Sequence, residues 1–182
     1  MNLAIRALAR IKDQAPEAEL HIYGRGAEAD NLRKLAGELG LAERVRFTET
    51  VNITEVAPII ENADLGVVPK RTDGFGNEAF STKVLEFMAL GVPVVVSDSA
   101  VDRYYFNDQV VTFFKGNDEA DLAERLLEMI QNTAKREARV KRADDFVRTF
   151  DWDLRKSEYL GFADTLVQSA KAGASIKGDL SI

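Results

Sequence analysis

Apolar residues recur at helical spacing over residues 2–14, where Leu3, Leu8 and Ile11 with Ala4 and Ala7 form one stripe that Pro16 ends. Leu20-His21-Ile22-Tyr23 reads as a short strand closing on Gly24. A second helical stripe follows through Leu32, Leu35, Ala36 and Leu39, stopped by Gly40. Val45-Arg46-Phe47-Thr48 alternates as a strand does, and Ile53 to Asn62 reads as a short helix with Pro58 expected near its first turn. Leu65 to Val68 is a buried strand, and Pro69 to Phe80 a loop of turn formers. Ser81 to Leu90 is a helix that Gly91 ends, and Val94-Val95-Val96 and Val110 to Phe114 are strands. Leu122, Leu126, Leu127 and Ile130 mark an amphipathic helix over 120–132. A charged helix is expected from Ala134 to Arg148, and a last helical segment from Trp152 to about Ala170. Strands alternating with helices predict an α/β fold with a parallel sheet, right-handed crossovers and helices on both faces. Ligands in such sheets bind beyond the carboxyl ends of the strands.

With 182 residues, 46% of them apolar, the chain is long enough for one real core. Residues 1–170 are expected to form a single domain, and 171–182, small and polar, a flexible tail. The net charge of −6 argues against a dedicated nucleic-acid binder. The absence of cysteine excludes thiol catalysis, disulfides and iron–sulfur clusters, and the lone histidine, His21, excludes a His-rich metal site within this chain. No apolar run reaches the length of a membrane span and no signal peptide is evident, so a cytoplasmic location is expected. Peripheral contact with the inner face of the plasma membrane stays open.

The stretch from Lys70 to Asp98 carries the chemistry. Gly74 and Gly76 loosen a loop that holds Asn77 and Glu78, and Ser81, Thr82 and Lys83 open a helix in which Glu86 follows. A helix N-terminus offers free N–H groups and about half a positive charge, so an anion such as phosphate fits there. Two carboxylates repel phosphate, yet they suit the hydroxyl groups of a sugar. Gly24-Arg25-Gly26 is as readily a plain turn as a phosphate loop, because the full glycine fingerprint is lacking. His21 is expected to be structural, and Asp73 and Asp98 to serve turns or caps. The cations Lys135, Arg136, Arg139, Lys141 and Arg142 are interleaved with acids and read as a solvated helix face.

Glu78-x7-Glu86, followed by Ala89-x-Gly91-x-Pro93-Val94-Val95, resembles the signature of family 4 (group 1) retaining glycosyltransferases of GT-B fold. The Phe80-Ser81-Thr82-Lys83 insert is similar to members that build bacterial surface polysaccharides. Pro16 to Gly24, Val45-Arg46-Phe47 with Val51, Ala63-Asp64-Leu65, and Trp152 with Tyr159 look like further landmarks of the family's C-terminal domain. The resemblance implies a Rossmann-like, doubly wound nucleotide-sugar-binding domain. It implies that Glu78 is catalytic and contacts hydroxyls of the donor hexose, and that Glu86 holds the ribose. It implies that backbone N–H groups at Phe80, Ser81 and Thr82 hold the diphosphate and that the segment around Val51 lines the base. Lys83, Asn77 and Gly24, Arg25 and Gly26 complete the expected donor site. The hexose would pass, with retained configuration and without a metal or other cofactor, to a hydroxyl of an acceptor glycan or lipid-linked glycan.

The chain departs from the family at its start. The family's domain opens with a central strand and two diphosphate-clamping cations, and neither is present; the acceptor-binding N-terminal domain of the same protein is missing too. We therefore expect a fragment that is inactive by itself, and transfer by the isolated chain would contradict this. The alternative is a nucleotide-sugar-binding module without turnover.

Overall fold

The computed structural model describes residues 1–171, and the expected tail lies outside the described residues apart from the backbone of Lys171. Helix α1 (Asn2–Ile11) buries Ala4, Ala7, Leu8 and Ile11 of the expected stripe together with Ile5, which that stripe left out, while Leu3 is only half-buried. Strand β1 (Leu20–Tyr23) leads into α2 (Ala29–Glu38), then β2 (Val45–Thr48) and α3 (Ile53–Glu61). Asn52 caps α3 in a reciprocal box with Glu55. Pro58 lies inside α3, later than its expected first turn. The box fixes the start at Ile53 and carries the proline into the second turn.

Strand β3 (Gly66–Val68) is followed by a four-residue helix, α4 (Phe75–Glu78), within a segment whose turn formers had suggested only loop. Helix α5 (Thr82–Ala89) ends at Gly91, whose φ of 71° is the left-handed value that glycine takes without strain. Strand β4 (Val94–Ser97) leads to α6 (Ala100–Tyr105), β5 (Thr112–Phe114), α7 (Glu119–Gln131) and α8 (Thr133–Val147). A 3-10 turn at Arg148–Phe150 precedes α9 (Trp152–Lys171), whose Leu154, Tyr159, Leu160 and Phe162 are exposed.

All strand pairs are parallel. They form two sheets, β1–β2 and β3–β4–β5, with Leu20 opposite Val45 in the first and Val67 opposite Val95 in the second. Among the described residues no strand hydrogen-bonds β1 to β3, which is where doubly wound order puts its central strand. Side chains bridge the two sheets instead. Val95 of β4 belongs to one core with Ile5, Leu8, Leu122 and Met129, against which Leu20 and Ile22 of β1 and Val67 of β3 pack. Its neighbours Val94 and Val96 face a second core with Val84, Met88 and Ala143. Successive strand residues point to opposite faces, so β4 is sandwiched and entirely buried, as its unbroken apolar run requires.

The basic residues of α8 are more than a solvated face. Arg136 donates to the carbonyls of Met129 and Ile130 at the end of α7, and Arg139 donates to those of Asp108 and Val111. They satisfy carbonyls that the ends of neighbouring segments leave over.

Candidate functional site

In parallel sheets every carboxyl end opens on the same edge, and the sequence-selected residues stand there. Gly24 ends β1 with φ 122°, and its N–H donates to Thr48 O at 3.0 Å, tying the β1 and β2 ends together. Arg25 is exposed and pairs with Glu49 at 2.5 Å, so its charge is neutralised across the same two loops. Gly26 is exposed beside it, and Val51 is half-buried between β2 and α3. These four residues belong to the β1–β2 sheet.

Asn77, Glu78, Phe80, Ser81, Thr82, Lys83 and Glu86 form a second, contiguous group on α4 and α5, beyond β3. The loop starts with Arg71, which holds the Asp73 carboxyl below the usual carboxylate range through a hydrogen bond. Gly74, at φ 94°, turns the chain into α4. Gly76 must be glycine for a different reason: a Cβ there would stand 2.3 Å from Arg71 O, inside any tolerable contact. Asn77 Nδ2 donates to Glu78 Oε1 at 3.1 Å, and Asn77 Oδ1 accepts from Ala100 N at 2.9 Å. The amide thus orients the carboxylate and fastens the turn to α6. Phe80 packs edge-on to Tyr105 at 4.8 Å and stacks with Phe106 at 5.9 Å. One side of the ring is packed in this way, while the residue as a whole remains 37% exposed.

Ser81 is the N-cap residue of α5, but no side chain caps the helix. The Ser81 hydroxyl is instead buried, and Ser81 Oγ has no hydrogen-bond partner among the described residues. Helix starts leave backbone N–H groups without intrahelical acceptors. A buried hydroxyl beside such a start is the arrangement a phosphate oxygen would complete. Thr82 and Lys83 are exposed in the first turn, and Glu86 is exposed in the second.

Several residues that shape this site carried no signal in the sequence reading. Lys70 and Asp102 form a shielded ion pair beneath α4, and Ser99 caps α6 by accepting from Asp102 N. The Ser99-x-x-Asp102 spacing is a capping pattern and could have located α6. Asp98, expected to serve a turn or a cap, accepts from Gly116 N at 2.7 Å and draws the β5–α7 loop to the same edge. His21 is exposed and pairs with Glu19, in keeping with a structural role. Among the described residues, no cluster of three or more His, Asp or Glu stands in metal-ligating reach.

A family model described as glycosyl transferases group 1 matches residues 1–146. A phosphatidyl-myo-inositol mannosyltransferase of Mycobacterium leprae is 32% identical over 170 residues, covering 93% of this chain and 44% of that protein. The chain therefore spans less than half the length of such curated relatives. Sucrose-phosphate synthase from Thermosynechococcus elongatus superposes with TM-score 0.79 at 21% identity, over 92% of this chain and 43% of that one. Anabaena Alr3699/HepE, solved with UDP and glucose, gives TM-score 0.76 at 21% identity over 92% and 44%. The shared architecture is the C-terminal half of the GT-B fold.

Proposed function

Because this chain belongs to the group 1 glycosyl transferases, we propose that it is the donor-binding half of a retaining hexosyltransferase. One observation carries the reading to particular residues: the uncapped start of α5 with the partnerless, buried Ser81 Oγ, flanked by Glu78 before it and Glu86 within it. The N–H groups of this start would hold the diphosphate of a nucleotide sugar, stabilising the charge that grows on it as the glycosidic bond breaks. Lys83 would add a mobile cation. Glu86 would accept from ribose hydroxyls and Glu78, steadied by Asn77, from hydroxyls of the hexose. Val51 and the Gly24-Arg25-Gly26 loop would border the base from the other sheet. No metal or cofactor takes part in this scheme.

The remainder of a longer polypeptide would supply the acceptor half, the absent central strand and the clamping cations. By itself the chain would bind a donor without transferring it. A phosphatidylinositol in the name of the M. leprae relative supports a lipid-linked acceptor, and with it a cytoplasmic protein touching the inner face of the plasma membrane. None of the described helices is long and apolar enough to cross a membrane.

Calorimetric titration of the purified chain with UDP- and GDP-sugars, beside Glu86→Ala, tests the reading. Binding that the variant loses is the expected result, and it identifies the base. A folded chain that binds neither donor at millimolar concentration refutes a donor site in this chain.

A further inference from the structure

We propose that Lys70 and Asp102 form a latch that positions Glu78, an inference that rests on the donor reading for its consequence but not for its geometry. Lys70 stands one residue beyond the end of β3, after Pro69, and its backbone is fixed there. Its carbonyl accepts from the buried Ser97 Oγ at 2.8 Å, and its N–H donates to Val68 O at 3.1 Å. From this fixed point the side chain reaches under α4. The ammonium stands 2.7 Å from Asp102 Oδ2, with Asp102 fully buried and Lys70 16% exposed. It also donates to Ala79 O at 2.5 Å.

Ala79 is the residue after Glu78. One cation therefore grips the backbone beside the candidate sugar-binding carboxylate and is itself anchored on a buried charge. Asp102 is held in turn by Ser99, whose Oγ donates to Oδ2 at 2.7 Å. Asn77 makes the second attachment, from the other side of Glu78, by accepting from Ala100 N at the start of α6. The short turn that carries Glu78 is thus clamped at both ends to α6. A four-residue helix has no stability of its own, since nucleation costs more than so few hydrogen bonds return. Its place depends on these ties. A compact ammonium suits the task, because it can serve a carboxylate and a carbonyl at once with separate donors. Lys70 is on this argument a positioning residue, acting on Glu78 through the backbone of Ala79.

The test uses the chain as it stands, with Lys70→Met and with the double variant Lys70→Met/Asp102→Asn, which leaves no buried charge alone should the single variant fail to fold. Amide hydrogen exchange is the first readout. Peptides covering residues 76–82 should exchange about tenfold faster or more, while β4 keeps its protection and reports an intact core. The second readout compares affinities for UDP and UDP-glucose, and for GDP and GDP-mannose. The latch variants and Glu78→Ala should lose the same sugar-dependent share, about tenfold, with nucleoside diphosphate affinity kept, and combining them should add nothing further. Unchanged exchange at 76–82, or losses that simply add, would overturn the latch. Absence of all nucleotide-sugar binding by the unmodified chain would instead remove the donor reading, and the exchange of 76–82 would then decide the latch alone.

Discussion

Arg44 satisfies three carbonyls at once. Its guanidinium donates to Lys12 O at 3.0 Å, to Ala15 O at 2.5 Å and to Ala18 O at 2.7 Å, closing the connection from α1 to β1. Hydrogen bonds to a charged donor contribute about 1.5–3 kcal/mol each when measured singly, and such terms overlap within one side chain. Arg44→Met should therefore destabilise the fold by about 2–4 kcal/mol, read as a lower urea midpoint with an unchanged slope. Donor affinity, if Arg44 acts only on the scaffold, stays as it is. Residues of this kind mark what the sequence conceals. Glu78 and Glu86 could be picked out as candidates because their spacing and their neighbours Gly91 and Pro93 lie in one stretch. Arg44 and Lys70 act on partners distant in the chain, and no local period or motif announces a contact that only the fold creates.

The helices and strands with a strong apolar period lie where the pattern put them, because burial enforces the period. α1 and the all-valine start of β4 are the clearest cases. The elements that were missed, α4 and α6, have four and six residues. Both are too short to display a period and are held by caps and ties. Packing between elements can be tested at Gly66, where a Cβ would lie 2.7 Å from the Phe87 ring of α5. The ring is pinned between β3 and its own helix, so Gly66→Ala should force α5 outward at a cost of about 1–3 kcal/mol, seen as a lower unfolding midpoint. The corner between α7 and α8 offers a pH test. Glu128 is held below the usual carboxylate range, chiefly by its hydrogen bond from Lys135, with burial opposing and Arg125 and Arg139 assisting. A depressed folded-state value contributes stability above the unfolded value of about 4.3, and that contribution is lost as pH falls through the lower folded value. Glu128→Gln should lower the urea midpoint at neutral pH and make its decline between about pH 5 and 3 shallower. An equally steep decline in the variant would show that other carboxylates, such as Asp118, carry the acid sensitivity.

For the whole molecule the gap between the sheets matters most. Doubly wound order places a strand between β1 and β3, and the sequence reading found none to put there. The family resemblance implied that strand, and among the described residues none joins β1 to β3. How the two sheets respond was not legible, since the answer depends on packing. The structure keeps β1 and β3 apart as strands and joins them through the shared core around Ile5, Val67 and Val95. In a parallel ladder alternate N–H groups point to one side. Leu20 and Gly24 donate toward β2, and Gly66 donates toward β4. The N–H groups of His21, Tyr23 and Val67 therefore face the gap. In the isolated chain these three amides should exchange much faster than those of Ile22 and Val95, which point into ladders. In the longer polypeptide that we propose, one inserted parallel strand would satisfy both edges at once, and burying each group unpaired would otherwise cost about 1–3 kcal/mol. All three amides should then become as protected as Ile22, and the urea midpoint should rise with them. Protection of only His21 and Tyr23 would mean that the added segment extends the β1–β2 sheet alone. Equal protection in the isolated chain would mean that β1 and β3 close the gap themselves, leaving no room for a strand. Completing the sheet would align the loop after β1 with α4 and α5 along one continuous edge. Donor affinity is then expected to rise together with amide protection, two measurements that a docking confined to the surface would leave uncoupled.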